Sequence, residues 1–246
     1  MKIEKINKIY KEFIKPLNKV FLFLILIFVF STILNYLIFN EGFYCIANNT
    51  NIIDCPGVIF VYNSSVTNVF TLFSSNFIHS GAAHLNNNII GFLIVSILIS
   101  LILILYNISI NISNKVPVLI SILSASYLIP IFGRILGRYI WMLYKPEYLT
   151  MSLGFSTIVM SYMGLFSGLC IFVPLLSHSN KIKFTKRKRY LITLLFLIAI
   201  GLILSQYIIS IAFFDWITHT ISFLIGFSLS ILFLKLIQKD VEHYCQ

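Results

Sequence analysis

Long uninterrupted apolar runs constrain this chain more than any other feature. About 20 consecutive apolar residues cross the hydrocarbon core of a bilayer. Runs of that length are read at 20–39, 84–106, 116–136, 153–176, 190–211 and 216–237. In lipid, an α-helix satisfies all its backbone polar groups within one segment. The sequence therefore predicts an all-α, polytopic membrane protein with six transmembrane helices across 20–237. A basic segment at 1–19 precedes them and a short tail at 238–246 follows. Charged residues make up only 11% of the chain, against about 25% in soluble domains. No small-residue cleavage site follows the first run, so a retained signal anchor is expected rather than a removed leader. No long-period repeat is visible, which argues against an inverted-repeat transporter.

The formal net charge of +10 would suit a nucleic-acid partner only if it formed a patch on a folded soluble surface. Here the basic residues sit in the gaps between apolar runs, so no nucleic acid is expected. Their distribution sets orientation instead. With the amino terminus inside, every Lys and Arg except Arg134, Arg138 and Lys145 falls in a cytoplasmic gap. Both termini are thus predicted to be cytoplasmic, in a multi-pass protein of the cell membrane. The KIKFTKRKR stretch is expected to touch anionic lipid at the cytoplasmic face. The first outer gap, 40–78, contains no Lys or Arg but carries Cys45 and Cys55. A disulfide between them and two free thiols both remain open. Asn48 and Asn63 stand in outward-facing glycosylation triplets, but Asn-rich sequence produces such matches by chance.

Ionisable and polar residues inside membrane helices are costly and mark functional sites. The second, fourth and sixth runs all cross from outside to inside in the predicted orientation, so their beginnings share one leaflet. His84 and Asn88 begin the second, Ser156 the fourth and His219 the sixth. His84 and Asn88 are four apart and share one helical face. Gly154 precedes Ser156 in a GFST stretch, where the backbone can come close and donate N–H groups. Gly164 with Gly168, and Ser222 with Gly226, provide small residues at the spacing that lets membrane helices approach closely. Such an approach would bring Ser156 to His219.

That set of residue types has a definite chemistry. A serine hydroxyl becomes a useful nucleophile when a base within hydrogen-bond reach takes its proton. Histidine does this at neutral pH and can return the proton later. The developing oxyanion needs preorganised donors, which His84, the Asn88 amide and a backbone N–H near Ser156 can provide. No carboxylate is obviously placed to orient His219, so a Ser–His dyad is the economical reading.

These residues resemble the rhomboid family of intramembrane serine proteases. The resemblance rests on His79-x4-His84-x3-Asn88, on Gly154-Phe155-Ser156 with Gly164 further on, and on His219 followed by Gly226. Order and predicted orientation agree over nearly the whole chain. The resemblance implies a rhomboid-like bundle that cleaves membrane-anchored proteins within or near the outer part of their transmembrane segments, without a cofactor. It implies Ser156 as nucleophile, His219 as base, and His84 with Asn88 in the oxyanion hole, supported by His79. The site would open to the extracytoplasmic side. Thr157 and Met160 stand where the family usually has glycine and an aromatic residue, and Ser222 stands where glycine is usual.

Two other classes fit parts of the pattern: a rhomboid-like protein that binds transmembrane clients without cutting them, and a small membrane transporter. A zinc site at His79 and His84 would lack nearby carboxylate or thiol ligands, and no metal is expected.

Overall fold

The computed structural model describes residues 10–48, 76, 77, 79, 82–110, 112–144, 154–178, 186–209 and 213–244. Among them the chain is all α-helical. Six long helices follow one another: α1 (Asn18–Asn48), α2 (Ala82–Ile110), α3 (Val116–Tyr144), α4 (Ser156–His178), α5 (Lys186–Ile209) and α6 (Phe213–Tyr244). A π-helical turn at Tyr10–Ile14 and a 3-10 turn at Lys15–Leu17 lead into α1. A 3-10 turn at Ile112–Lys115 joins α2 to α3. Each helix overlaps one apolar run of the sequence, but α1 extends well past position 39 and α6 past 237.

The expected count of six membrane-spanning helices is corrected by the lengths of the apolar stretches. Among the described residues, four helices are long and apolar enough to cross a membrane, over Lys15–Leu37, Ala82–Asn107, Val116–Gly133 and Trp216–Leu236. Among the residues whose side chains are described, the apolar stretch of α4 is Ser156–Ile171, although the helix itself continues to His178. α5 opens on four consecutive basic residues, Lys186 to Arg189. The protein is thus a multi-pass, helical membrane protein, with four qualifying spans among the described residues.

Every residue from 154 to 170 is buried, so this part of α4 is enclosed by protein. Its neighbours are α2, α3, α5 and, most extensively, α6. Burial in a bilayer leaves its polar groups dependent on internal partners. The Tyr106 hydroxyl on α2 donates to the Leu169 carbonyl at 2.9 Å, and the Tyr162 hydroxyl donates to the Leu123 carbonyl of α3 at 3.0 Å. By contrast α1 is peripheral. It shows Leu22, Ile25, Leu26, Phe30, Ile33 and Leu37 on its outer face and touches the bundle through Phe28 against Phe92 and Ser31 against the Tyr127 hydroxyl (2.9 Å).

Glycines set the closest helix pairs. A Cβ at Gly164 would run into the carbonyl oxygen of Phe223, and one at Gly226 into the carbonyl oxygen of Ser161. A Cβ at Gly168 would meet the Ser230 hydroxyl. The contacts advance together along both helices, so α4 and α6 run parallel with their backbones in reciprocal contact. Small residues at i and i+4 make this possible, because van der Waals packing drives helix association in lipid. A second seam joins α3 to α6: a Cβ at Gly133 would lie 3.3 Å from Ile221, and one at Gly137 only 2.6 Å from the Thr218 methyl. These contacts run in opposite directions along the two helices, so α3 and α6 are antiparallel.

Candidate active site

The beginnings of α2, α4 and α6 converge. Ser156 is the first residue of α4 and His219 lies in the second turn of α6. The parallel α4–α6 seam, continued toward both amino ends, brings the two side chains together: Ser156 Oγ is 2.8 Å from His219 Nε2. The hydroxyl donates when Nε2 carries the lone pair. Both residues are buried, at 7% and 6% exposure, so the contact is nearly closed off from bulk solvent.

Gly154 turns the chain into α4. Its φ of +104° lies in the region that glycine enters freely and other residues enter at a cost. The same residue leaves room for the α2 side chains. A Cβ there would stand 2.9 Å from His84 Cε1, 3.1 Å from His84 Nε2 and 3.4 Å from Asn88 Nδ2. The imidazole of His84 and the amide of Asn88 therefore lie over Gly154, two residues before the Ser156 hydroxyl. His84 is partly exposed and Asn88 is buried. The N–H groups of Ile158 and Val159 donate to the Phe155 carbonyl, which leaves those of Ser156 and Thr157 ahead of the first helical bonds, and the positive end of the helix dipole lies on this side. The structure thus brings His84 and Asn88 over Gly154 and pairs Ser156, two residues on, with His219.

His79 precedes α2 and is fully buried. Its Nε2 receives the backbone N–H of Phe155 at 3.3 Å and lies 3.0 Å from Asn88 Nδ2. Its Nδ1 lies 3.2 Å from the Phe77 carbonyl oxygen. The His79 and His84 rings meet edge to face, with centroids 5.0 Å apart. Among the described residues, no group of three or more His, Cys, Asp or Glu is placed to hold a metal ion.

Ser222 and Gly226 lie one and two turns beyond His219. The Ser222 hydroxyl donates to the Thr218 carbonyl at 2.7 Å, and Gly226 forms half of the α4–α6 seam. Thr157, where the family pattern usually has glycine, donates from Oγ1 to Asn76 Oδ1 at 3.0 Å. It thereby ties the segment before α2 to the start of α4. Met160 is buried in the core of α4. Cys55 and Asn63 lie outside the described residues, and the side chains of Cys45 and Asn48 are not described, so the open question of a disulfide and the two glycosylation triplets fall there.

Other residues contribute to the site without having been singled out for it from the sequence. Asn76 and Phe77 hold Thr157 and His79 from a segment that reads as an outer loop. Phe155 lies at the centre of an aromatic cluster with Phe77, Phe92, Tyr127 and Tyr162. Within it Phe92 meets Phe155 and Tyr162 edge to face at 5.1 and 4.9 Å. Such geometry suits the ring quadrupoles and packs the backbone that carries Ser156. The Gly133–Gly137 pair fixes α6 from its other side, and its four-residue spacing was the available signal.

Compared with known proteins, the chain matches no family model, no curated protein and no solved structure.

Proposed function

We propose that this protein is an intramembrane serine endopeptidase, resembling the rhomboid family in its site residues. Its substrates would be membrane-anchored proteins cut within or near the outer part of a transmembrane segment. The observation that carries the reading is the 2.8 Å approach of Ser156 Oγ to His219 Nε2, buried at the start of α4. His219 takes the hydroxyl proton as Ser156 Oγ attacks the scissile carbonyl. The carbonyl oxygen gains negative charge facing the Asn88 amide, the His84 imidazole and the first N–H groups of α4. His219 then gives its proton to the leaving amine, and the acyl group is left on Ser156. Water, deprotonated by the same histidine, releases it. No cofactor enters these steps.

The side of the membrane follows from charge. With 1–19 and the KIKFTKRKR stretch held at the anionic cytoplasmic face, the starts of α2, α4 and α6 open on the extracytoplasmic side.

The test is labelling of the purified protein with a fluorophosphonate, paired with cleavage of a membrane-anchored reporter. Labelling and cleavage in the wild type, both lost in Ser156→Ala and in His219→Ala at unchanged thermal stability, are expected. A folded wild-type protein that neither labels nor cleaves would overturn the proposal and favour a client-binding role without cutting.

A further inference from the structure

The hydrogen bonds of His79 determine where its proton lies. The Phe155 N–H can only donate, so Nε2, 3.3 Å away, must accept. The Phe77 carbonyl can only accept, so Nδ1, 3.2 Å away, must carry the hydrogen. Two backbone groups thus select one neutral tautomer. Asn88 Nδ2, at 3.0 Å from the same Nε2, is then a second donor onto a single lone pair. His79 lies in the buried interior, and its ring edge packs against His84.

Those two donors are the ones that flank the start of α4. Asn88 Nδ2 lies over Gly154, and the Phe155 N–H belongs to the residue just before Ser156. A buried N–H without an acceptor is costly, so an empty oxyanion pocket needs something to receive its donors. We propose that His79 is a positioning residue that serves as the stand-in acceptor of the resting site. It holds the Asn88 amide and the Phe155 N–H aimed and satisfied until a substrate oxyanion replaces it. This rests on the serine endopeptidase reading of the same site.

The exchange is favoured by lone-pair arithmetic. One imidazole nitrogen offers one lone pair to both donors, and neither bond is short. An oxyanion carries full charge and several lone pairs, and charge-assisted bonds are shorter and stronger than neutral ones. The donors therefore transfer from His79 as negative charge develops, without a water molecule having to be expelled from between them. His79 stays neutral throughout, held by the Phe77 carbonyl.

The experiment is 15N NMR of the full-length protein in detergent with labelled histidine and asparagine, before and after fluorophosphonate reacts with Ser156. The resting protein should show His79 protonated at Nδ1 and bare at Nε2. On labelling, the Nε2 resonance and the Asn88 amide protons should shift together, because the phosphoryl oxygen takes over their hydrogen bonds. Kinetics accompany it: His79→Phe should lower kcat by about 10- to 100-fold, as for a mispositioned site, with KM little changed. His79→Gln, whose amide oxygen can replace Nε2 as acceptor, should recover most of it.

An Nε2–H tautomer in the resting protein would overturn the proposal. So would an unmoved Nε2 resonance on a Ser156-labelled protein, or His79→Phe cleaving at the wild-type rate. A wild type that never labels refutes the endopeptidase reading, and the exchange with it. The resting tautomer separates that outcome from failure of the His79 assignment alone.

Discussion

Adding one methyl group at Gly164 tests whether the α4–α6 seam is what holds Ser156 against His219. An alanine Cβ there would overlap the Phe223 carbonyl oxygen. It would also stand 2.9 Å from the Phe223 carbonyl carbon and 3.0 Å from the Phe227 nitrogen. All three are backbone atoms of α6, so no side chain can rotate away. Ordinary contact begins at 3.4 Å, and the carbonyl carbon alone requires the helices to part by about half an ångström; the oxygen demands more. Overpacking of this kind costs about 1–3 kcal/mol. The Ser156–His219 distance of 2.8 Å would pass beyond ~3.2 Å, the ordinary limit of such a hydrogen bond. Displacements near 1 Å at a reacting centre can cost about 100-fold in rate. Gly164→Ala should therefore lower the melting temperature in detergent by several degrees and slow fluorophosphonate labelling by one to two orders of magnitude, roughly. Gly201→Ala is the control, since a Cβ at that exposed site meets nothing within 4 Å. It should leave labelling unchanged. Wild-type melting and labelling in Gly164→Ala would refute the reasoning, because the seam would then not determine the separation of the two side chains.

Other substitutions probe separate parts of the same structure. Gly154→Ala meets both the positive φ and the His84 ring, and backbone strain of this kind costs about 1–3 kcal/mol. It should impair labelling more than global stability, and equal labelling would remove Gly154 from the site. Gly137→Ala should destabilise through the Thr218 methyl, 2.6 Å from the new Cβ. Thr218→Ser, which deletes that methyl, should restore part of the loss in a double-mutant cycle, and strictly additive effects would count against the contact. Phe92→Ala removes the ring that meets both Phe155 and Tyr162 edge to face and should cost about 3–5 kcal/mol by the precedent of buried aromatics, read as a fall in melting temperature. Thr157→Val deletes the bond to Asn76 and should cost about 1 kcal/mol, with proteolysis of the 76–79 segment as a second readout.

What the sequence conveyed follows from what kind of signal each feature leaves. Apolar runs locate α1 to α6 because hydropathy is continuous along the chain. The same signal cannot distinguish residues facing lipid from residues facing protein. That is why nothing in the run marks residues 156–170 of α4 as enclosed by protein on every side. The spacing of Gly164, Gly168 and Gly226 carries the close approach of α4 to α6, since a missing Cβ is written in the residue itself. Gly133 and Gly137 carry the same information at the same spacing, but they lie among Arg134 and Arg138, whose charge masks the pattern. The bonds from His79 to Phe77 and Phe155 are invisible in sequence for a different reason. Their partners are backbone atoms, which every residue has. Thr157 to Asn76 joins positions 81 apart, and only the folded geometry pairs them.

The paired glycine seam also acts as a ruler. Gly226 lies about two turns beyond His219, and Gly164 slightly more than two turns beyond Ser156. Each reactive side chain is therefore placed by counting residues back from a fixed point of contact. Changes of side chain on the outer faces of α6 leave that count untouched. A single residue inserted between His219 and Gly226 would turn the imidazole about 100° around its helix and lift it by ~1.5 Å, with both glycines still in place. Such an insertion would separate Ser156 from His219 without removing either residue, so the length between seam and site carries as much of the proposed chemistry as the two side chains do.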